Sequence, residues 1–211
     1  GLIDGRLVYI FAQDPDEHGG SMNLRQAEQL ESLYNMAGRM HAPVMELLDS
    51  SGIPLTQAMD ALHAAGGAIR RKALLKGQVP TITAVMGTCR GSQAVLAGLS
   101  DFLFLESGAE LCVLPSDTII GNKDEELQNA ERREKDGRID FRGSLAEIAD
   151  EIRSLVTLLP SDNLGKYAYE PAEDSMNRPA EEFSALHGAE AVRELADDRI
   201  FMQRKRFSES G

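Results

Sequence analysis

The clearest chemical signal in the sequence is a set of backbone N–H groups rather than a side chain. Residues 85–98, VMGTCRGSQAVLAG, predict a buried strand, a glycine turn and the first turns of a helix. The first N–H groups of a helix lack intrahelical partners, and the helix dipole adds partial positive charge there. Gly87 and Gly91 allow the backbone to approach a ligand. The segment could bind an oxyanion, although many α/β folds use the same pattern for packing alone.

A second strand-to-loop junction has the same character. The predicted strand 44–48 leads into the sequence DSSGIP, where Gly52 and Ile53 follow a polar turn. Together with Gly91 and Ser92, these residues give two sites of backbone N–H donors. Such donors are suited to stabilising a developing enolate by their dipoles.

The usual catalytic side chains are sparse, and none of the four histidines has an identifiable partner. Ser92 follows Gly91 and could act as a nucleophile or begin a helix, but its surroundings differ from the G-x-S-x-G elbow of hydrolases. Glu46 and Asp49 are three residues apart on a predicted strand, so their side chains point to opposite faces. They are therefore not expected to work as an acid–base pair.

The charge distribution sets the middle of the chain apart. The protein has 22 basic and 34 acidic residues, a net charge of −12, which argues against a nucleic-acid or anionic membrane partner. Residues 51–100, however, carry five basic residues against the single acid Asp60. This window could receive the phosphates of a small ligand, or it could be the basic end of a helix that complements its dipole. The five basic residues are Arg70, Arg71, Lys72, Lys76 and Arg90.

Size and composition indicate a soluble, cytoplasmic protein. With 211 residues, 42% of them hydrophobic, the chain can bury a full core. No apolar run approaches the roughly 20 residues that span a bilayer, and the N-terminus lacks the order of a signal peptide. Cys89 and Cys112 are too few for a disulfide framework and lack zinc-site spacing. We expect buried thiols and no metal.

Short strands alternate with helices along the chain, which indicates an α/β domain with parallel strand pairs. Residues 122–142 are densely charged without apolar periodicity and are expected to be exposed or mobile, and 167–179 resemble a linker. The predicted strands are 7–11, 44–48, 81–86, 101–105 and 111–114. The predicted helices run from Ser21 or Asn23 to about Met40, over 56–76, from the Ser144 cap, and over 188–198.

Five segments, in the same order, resemble the biotin-dependent acyl-CoA carboxyltransferases of the crotonase-like superfamily. They are DGRLVYIFAQDPDEHGGSM, APVMELLDSSG, GQVPTITAVMGTCRGSQAVLAGLSDFLFL, LVTLLPSDN and AVRELADDRIFMQ. The first three resemble the family's opening strand with its F-G-G-S loop, the strand before D-S-G-G-A-R, and the I-M-G-P-C-A-G-G segment. The last two resemble the exit from the first half of the enzyme and the entry to the second.

The resemblance implies an α/β, crotonase-like (ClpP/crotonase) spiral of ββα units over residues 1–160, forming the acyl-CoA-binding half of a carboxyltransferase. Residues 161–211 would be a linker and either the start of a following half or a docking tail. The implied partners are a second carboxyltransferase half and a biotin carboxyl carrier, in a homo- or hetero-oligomer.

The chemistry implied by the resemblance needs no catalytic side chain. Carboxybiotin on the carrier releases CO2, the biotin enolate removes an α-proton from the acyl-CoA, and oxyanion holes hold the two enolates. Gly91 and Ser92 would form one hole through their N–H groups, with Gly52 and Ile53 as the second backbone loop. The basic residues listed above could meet the CoA phosphates, an assignment that rests on charge.

The sequence also departs from the family pattern. Ser92 replaces the second glycine after C-A-G, and DSSGIP lacks the arginine of D-S-G-G-A-R. A serine keeps a backbone donor in place only if the turn stays at negative φ. Beyond Ile120, a charged stretch replaces the usual glycine-rich segment with its histidine. The 211 residues resemble only the first half of the family, so we expect one subunit of a split enzyme, a truncated form or the ordered part of a longer chain.

Three functions therefore stay open on the sequence alone. The first is a carboxyltransferase or a related biotin-dependent decarboxylase that works with a complementary half. The second is a non-catalytic CoA-binding or assembly subunit of such a complex, which the altered glycines favour. The third is a crotonase-like hydratase, isomerase or serine peptidase that would use Ser92 or an acid.

Overall fold

A parallel β-sheet organises the molecule. In the computed structural model, the described residues are 1–54, 58–114, 129–165 and 186–205. The strands are β1 (Leu2–Ile3), β2 (Arg6–Leu7), β3 (Tyr9–Ala12), β4 (Val44–Ser50), β5 (Thr81–Arg90), β6 (Phe102–Glu106), β7 (Glu110–Cys112) and β8 (Phe141–Gly143). The helices are α1 (Leu24–Met40), α2 (Ala58–Leu75), α3 (Ser92–Gly98), α4 (Ala130–Lys135), α5 (Leu145–Leu158) and α6 (Gly188–Leu195).

The described part of the sheet has six strands, of which five lie in the order β3–β4–β5–β6–β8 with each neighbouring pair parallel. β7 lies parallel to the last residues of β5, while β1 and β2 form a separate antiparallel pair. Parallel neighbours need crossover connections, which α1, α2 and α3 provide between successive strands. The loops after β3, β4 and β5 therefore share one edge of the sheet, here called the carboxyl edge.

Helices cover both faces of the sheet. Val44 of β4 packs into a core with α1 and α2, whereas its neighbour Met45 packs into a core with Ile152 and other residues of α5. This division follows from the alternation of side chains along a strand. It explains why the strands are apolar in nearly continuous runs, as expected for a parallel sheet buried on both sides.

The helix starts match the sequence prediction. Asn23 caps α1 and exchanges hydrogen bonds with Gln26 in a capping box, and Ser144 does the same for α5 with Glu147. Each cap satisfies N–H donors that the first helical turn cannot. The β5 strand is longer than predicted, because it continues through the glycine-containing residues 87–90 to pair with β7.

Residues 115–128 lie outside the described residues, as does the linker prediction at 167–179. From residue 129 onwards, the prediction that residues 122–142 are exposed or mobile is only partly right: Glu131, Arg132 and Arg138 are exposed, whereas Ala130, Glu134 and Asp140 are buried. Ile139 and Phe141 are buried. The buried charged groups here are bonded within the protein: Arg142 donates through Nε to Glu134 (3.0 Å), and Asp140 accepts from the Leu103 N–H (2.9 Å).

The last described residues return to the sheet. Arg204 donates to Asp140 (2.8 Å) and to the Asp101 carbonyl (2.7 Å), and it stacks on the ring of Phe102. Met202 packs against the core on the α5 side. The domain division at residue 160 stays a prediction. No helix in the described ranges is both long and apolar enough to cross a bilayer.

Candidate active site

Three loops meet at the carboxyl edge. The loop after β3 bonds to the loop after β4, because the Ser51 N–H donates to the Gly19 carbonyl (3.0 Å) and the Met22 N–H donates to the Gly52 carbonyl (2.9 Å). A Cβ at Gly20 would overlap the carbonyl oxygen of Asp49, so only glycine allows this approach. The turn between β5 and α3 lies beside them, since β4 and β5 are neighbouring strands.

Gly91 shapes the turn that begins α3. Its φ of 64° and ψ of −131° suit glycine, and a Cβ there would meet no atom within 4 Å. The requirement is therefore conformational rather than spatial. Its own N–H group donates to the Cys112 carbonyl (3.1 Å). The prediction that Gly91 is itself an oxyanion donor is therefore wrong, and any donor must come from the residues that follow.

Ser92 and the next two residues carry the available N–H groups. The first intrahelical bond of α3 runs from the Val95 N–H to the Gly91 carbonyl (3.3 Å). The N–H groups of Ser92, Gln93 and Ala94 precede it, and none has a hydrogen-bond partner within the described ranges. Ser92 does not adopt a positive φ, so the serine fits the turn. The positive end of the α3 dipole adds to these donors.

The Ser92 hydroxyl is buried and has no hydrogen-bond partner in the described part of the chain. A serine nucleophile needs a base within hydrogen-bond distance of its oxygen. None of the described residues fills that role. The geometry of Ser92 thus offers its backbone rather than its side chain.

The Gly52 loop has fewer open N–H groups than the start of α3. Gly52 has a φ of 114°, its N–H donates to Ser50 Oγ (3.2 Å), and its carbonyl accepts from Met22. The prediction that Gly52 supplies an oxyanion donor is therefore wrong. The Ile53 side chain packs against the core between α1 and α2, and its N–H has no partner among the residues described. Ile53 is thus the remaining donor of this loop.

Gly87 serves Asp49 rather than a ligand. A Cβ on Gly87 would lie 2.5 Å from an Asp49 carboxylate oxygen, and that carboxylate accepts the Thr88 N–H (3.0 Å). Asp49 therefore fixes the last residues of β5 directly before the Gly91 turn. The sequence indicated the glycine but not the side chain that requires it.

A cluster of buried polar side chains lies beneath the site. We call it the buried cluster; its members are the buried Tyr34, Glu46, Lys72 and Thr83, together with the half-buried Ser100. The Lys72 ammonium donates to Glu46 (2.7 Å), Thr83 (3.3 Å) and Ser100 (2.7 Å), and also to the Leu96 carbonyl of α3 (2.9 Å). The Tyr34 hydroxyl donates to Glu46. The cluster thereby joins all three crossover helices to β4 and β5.

Burial governs the ionisation of this cluster. It lowers the pKa of the Lys72 ammonium, against the opposing effect of the Glu46 carboxylate. Burial likewise raises the pKa of Tyr34 well above its usual value, and Glu46 adds to that increase. A buried ion pair such as Lys72–Glu46 is stable only when both groups have their full set of hydrogen bonds. Lys72 meets this condition, because its three N–H donors have four acceptors within reach.

Comparison with known proteins identifies the family. The model of the carboxyl transferase domain matches residues 1–193. The chain belongs to the carboxyl transferase domain family. The alpha subunit of methylmalonyl-CoA decarboxylase from Propionigenium modestum is 31% identical over 194 residues, which are 88% of this chain and 38% of that subunit.

Two further comparisons agree. A putative propionyl-CoA carboxylase beta chain from Bacillus subtilis is 28% identical over 96% of this chain and 43% of its own length. The chain thus spans about two-fifths of these relatives. The structure of transcarboxylase 12S, a hexamer with methylmalonyl-coenzyme A bound, matches with a TM-score of 0.91 at 21% identity, covering 100% of this chain and 44% of that one. The expected crotonase-like α/β fold is confirmed.

Within this carboxyl transferase domain, the prediction that Lys72 binds CoA phosphates is wrong. Its side chain is 1% exposed and fully engaged in the buried cluster. The sequence contained an indication that Lys72 is buried, because Lys72 continues the three- and four-residue spacing of buried α2 residues. Those residues are Ala61, Ala65, Ala68 and Leu75.

Of the other predicted basic residues, Arg90 lies at the end of β5, directly before the Gly91 turn, whereas the three on or after α2 lie far from the start of that helix. Arg70, Arg71 and Lys76 belong to the last turns of α2 or follow it, and Arg70 is about 18 Å along the helix from its start at the carboxyl edge. Lys76 bonds to the Leu99 carbonyl (3.0 Å) and to Asp101 (3.2 Å). Arg90 pairs with Glu110 (2.8 Å). Contact of these residues with CoA stays a prediction.

The two cysteines are buried thiols, as expected. Burial is the main cause that raises the pKa of Cys89 to about 12, so the thiolate that reactions require is disfavoured. Across the described ranges, histidine, cysteine, aspartate and glutamate do not form a group of three that could hold a metal ion.

Proposed function

We propose that this chain is the acyl-CoA-binding half of a biotin-dependent carboxyltransferase or decarboxylase. The observation that carries the proposal is the set of N–H groups at Ser92–Ala94 that have no partner among the described residues, located at the carboxyl edge of a carboxyl transferase domain. In open α/β sheets, ligands bind in the crevice outside the carboxyl ends of the strands. These donors lie at that edge.

The Ser92 N–H would stabilise the thioester oxyanion of the acyl-CoA while its α-proton is removed. A single preorganised donor of this kind contributes roughly 10²- to 10³-fold to kcat. The dipole of α3 adds positive charge at the same point. Ile53 offers the N–H of the second loop. The biotin of a separate carrier would supply or accept the carboxyl group.

The proposed partners follow from the size of the chain relative to its relatives. Because it spans about two-fifths of them, we propose that a second carboxyltransferase half completes the site and that a biotin carboxyl carrier docks there. A homo- or hetero-oligomer is proposed because transcarboxylase 12S is a hexamer. Propionyl-CoA and methylmalonyl-CoA are the substrates to test first, given the names of the relatives. The cytoplasmic location stays a prediction.

Reconstitution tests this function. The chain is mixed with a complementary half, a carboxylated biotin carrier and propionyl-CoA, and transfer of labelled carboxyl to the acyl-CoA is measured. We expect transfer that requires all four components. If an intact enzyme of the family transfers carboxyl under these conditions and the mixture does not, catalysis by this polypeptide is excluded.

A second candidate is a non-catalytic CoA-binding or assembly subunit. The observation that favours it is the internal bonding of two predicted donors, Gly91 and Gly52. Under this alternative, the wild type and Ser92→Gly would both bind CoA and both fail to transfer carboxyl. If the Gly variant gained activity instead, the serine would be shown to impair an oxyanion hole.

A further inference from the structure

A cleft between α1 and α2 contains an arginine side chain that has no hydrogen-bond or ion-pair partner among the described residues. The cleft has a volume of about 220 Å³, and its polar lining residues include Asn35, Arg39, Arg71 and Gln78. No acidic residue lines it. It lies in the second half of both helices, away from the open N–H groups of α3 and outside the site proposed above.

Arg71 is the central feature of this cleft. Its Nε is buried and has no hydrogen-bond partner in the described part of the chain. Arg71 also forms no ion pair with the described residues. A buried charged donor without a partner destabilises the folded protein. Unsatisfied buried donors are rare in native proteins, and each calls for an explanation such as strain, a bound water or a bound ion. The half-buried Arg71 lines the cleft with a donor that an anion there would satisfy.

The neighbouring residues give the cleft its shape and charge. Gly38 brings the two helices together at this level, because a Cβ there would lie 2.9 Å from Leu75 Cδ1. Arg39 places a second guanidinium on the α1 side. The adjacent Lys72 adds little charge, since Glu46 neutralises it. Two arginines thus face a small cleft in a protein whose net charge is −12.

We propose that the cleft between α1 and α2 binds a phosphate group of a small molecule. Guanidinium groups match the geometry of phosphate oxygens and can bind them through two parallel hydrogen bonds. Arg71 and Arg39 would grip the phosphate from the two helices. The phosphate could be inorganic or the 3′-phosphate of CoA, and the experiment separates these sources. The binding itself does not depend on the carboxyl-transfer function.

The test is a titration of the full chain at constant ionic strength with inorganic phosphate, CoA and dephospho-CoA, followed by calorimetry. Arg70→Gln is the matched control, because Arg70 is the exposed neighbour on the same helix and does not line the cleft. We expect Arg71→Gln to raise the Kd for phosphate about tenfold or more, from the loss of a charged hydrogen bond. Arg39→Gln should weaken binding by a smaller factor, and Arg70→Gln by less than about twofold.

Comparison of the ligands identifies the source. If the phosphate comes from CoA, dephospho-CoA binds more weakly than CoA, and Arg71→Gln removes the difference. If the phosphate is free, inorganic phosphate binds and CoA does not displace it. Either result supports a phosphate-binding site in the cleft. The absence of binding by both inorganic phosphate and CoA at millimolar concentration, or equal weakening by Arg70→Gln and Arg71→Gln, would overturn the proposal.

Thermal unfolding gives an independent measurement on the same variants. Ligand that binds only the folded protein raises its stability. Phosphate should therefore raise the Tm of the wild type and of Arg70→Gln, but not that of Arg71→Gln. An equal rise of Tm in all three proteins would contradict a specific site.

Discussion

The two ends of α3 are built in opposite ways. At its start, the N–H groups of Ser92, Gln93 and Ala94 have no partner within the described ranges. Near its end, the Leu96 carbonyl accepts from the buried Lys72 ammonium (2.9 Å) and the Leu99 carbonyl accepts from Lys76 (3.0 Å). The helix therefore presents open donors at one end and is held by cations at the other.

This difference shows how a short helix can carry a binding site. A seven-residue helix is not stable in isolation, so its position depends on tertiary contacts. Lys72 provides the main anchor, because it links α3 to Glu46 of β4 and Thr83 of β5. The cations also complement the negative end of the helix dipole. The lysines fix the last residues of α3, and this in turn positions the open N–H groups at its start.

The largest effect should come from removing the buried anchor. Lys72→Met leaves the Glu46 carboxylate buried without its partner, which should lower the free energy of unfolding by about 3–5 kcal/mol. Urea denaturation measures this change. The double variant Glu46→Gln with Lys72→Met should recover much of the loss, since it removes the unpaired charge. A loss below about 1 kcal/mol for the single variant would show that the cluster does not anchor α3.

A smaller loss of stability, but a large loss of activity, should follow a change at the open end. Gly91→Ala forces a non-glycine residue into φ 64°, ψ −131°, at a cost of about 1–3 kcal/mol. The turn would shift, and carboxyl transfer should fall with it. Gly98→Ala is the matched control in the same helix, because a Cβ there also meets no atom within 4 Å and its φ is not positive. Equal effects of the two substitutions would contradict a special role for the turn.

The smallest loss of stability should follow the substitution of Lys76, the exposed cation near the end of α3. The Lys76 side chain is 48% exposed where it pairs with Asp101, and exposed ion pairs contribute little because water and salt screen them. Lys76→Gln should therefore change the free energy of unfolding by less than about 1 kcal/mol. A loss comparable to that of Lys72→Met in the same denaturation assay would remove the distinction between the two lysines.

The sequence was sufficient for the fold and for the position of the loops at the carboxyl edge, while the site itself stays a prediction. Hydrophobic spacing and capping residues such as Asn23 and Ser144 placed the main helices, and the glycine turns placed the carboxyl-edge loops. It did not show which donors stay open. The Gly91 N–H is taken by Cys112 from a strand 21 residues further along, and sequence spacing does not encode that contact.

The charge of a residue was the least reliable basis for predicting whether it is buried or exposed. Lys72 was assigned to the solvent-facing basic group by its residue type, although its spacing placed it on the buried face of α2. The buried acid that pairs with it, Glu46, stood out only as an interruption of an apolar strand. Residues 129–142 misled in the same way, because their charges pair locally and leave Ile139 and Phe141 in the core.

The central claim is that Ser92 acts through its backbone N–H, and proline substitution tests it directly. Proline lacks the N–H but is well accepted at the first position of a helix. Gly91, at φ 64° and ψ −131°, is the mirror image of the extended conformation favoured before proline, which glycine adopts readily. Ser92→Ala removes only the hydroxyl. Both variants are compared with the wild type in the reconstituted carboxyl-transfer assay, with urea denaturation as the control for folding.

We expect Ser92→Ala to keep carboxyl transfer within a few-fold of the wild type, because its N–H remains. Ser92→Pro should lose roughly 10²-fold or more in kcat while staying folded, as expected for the removal of one oxyanion donor. Activity of Ser92→Pro equal to the wild type, or inactivation by Ser92→Ala, would contradict the account.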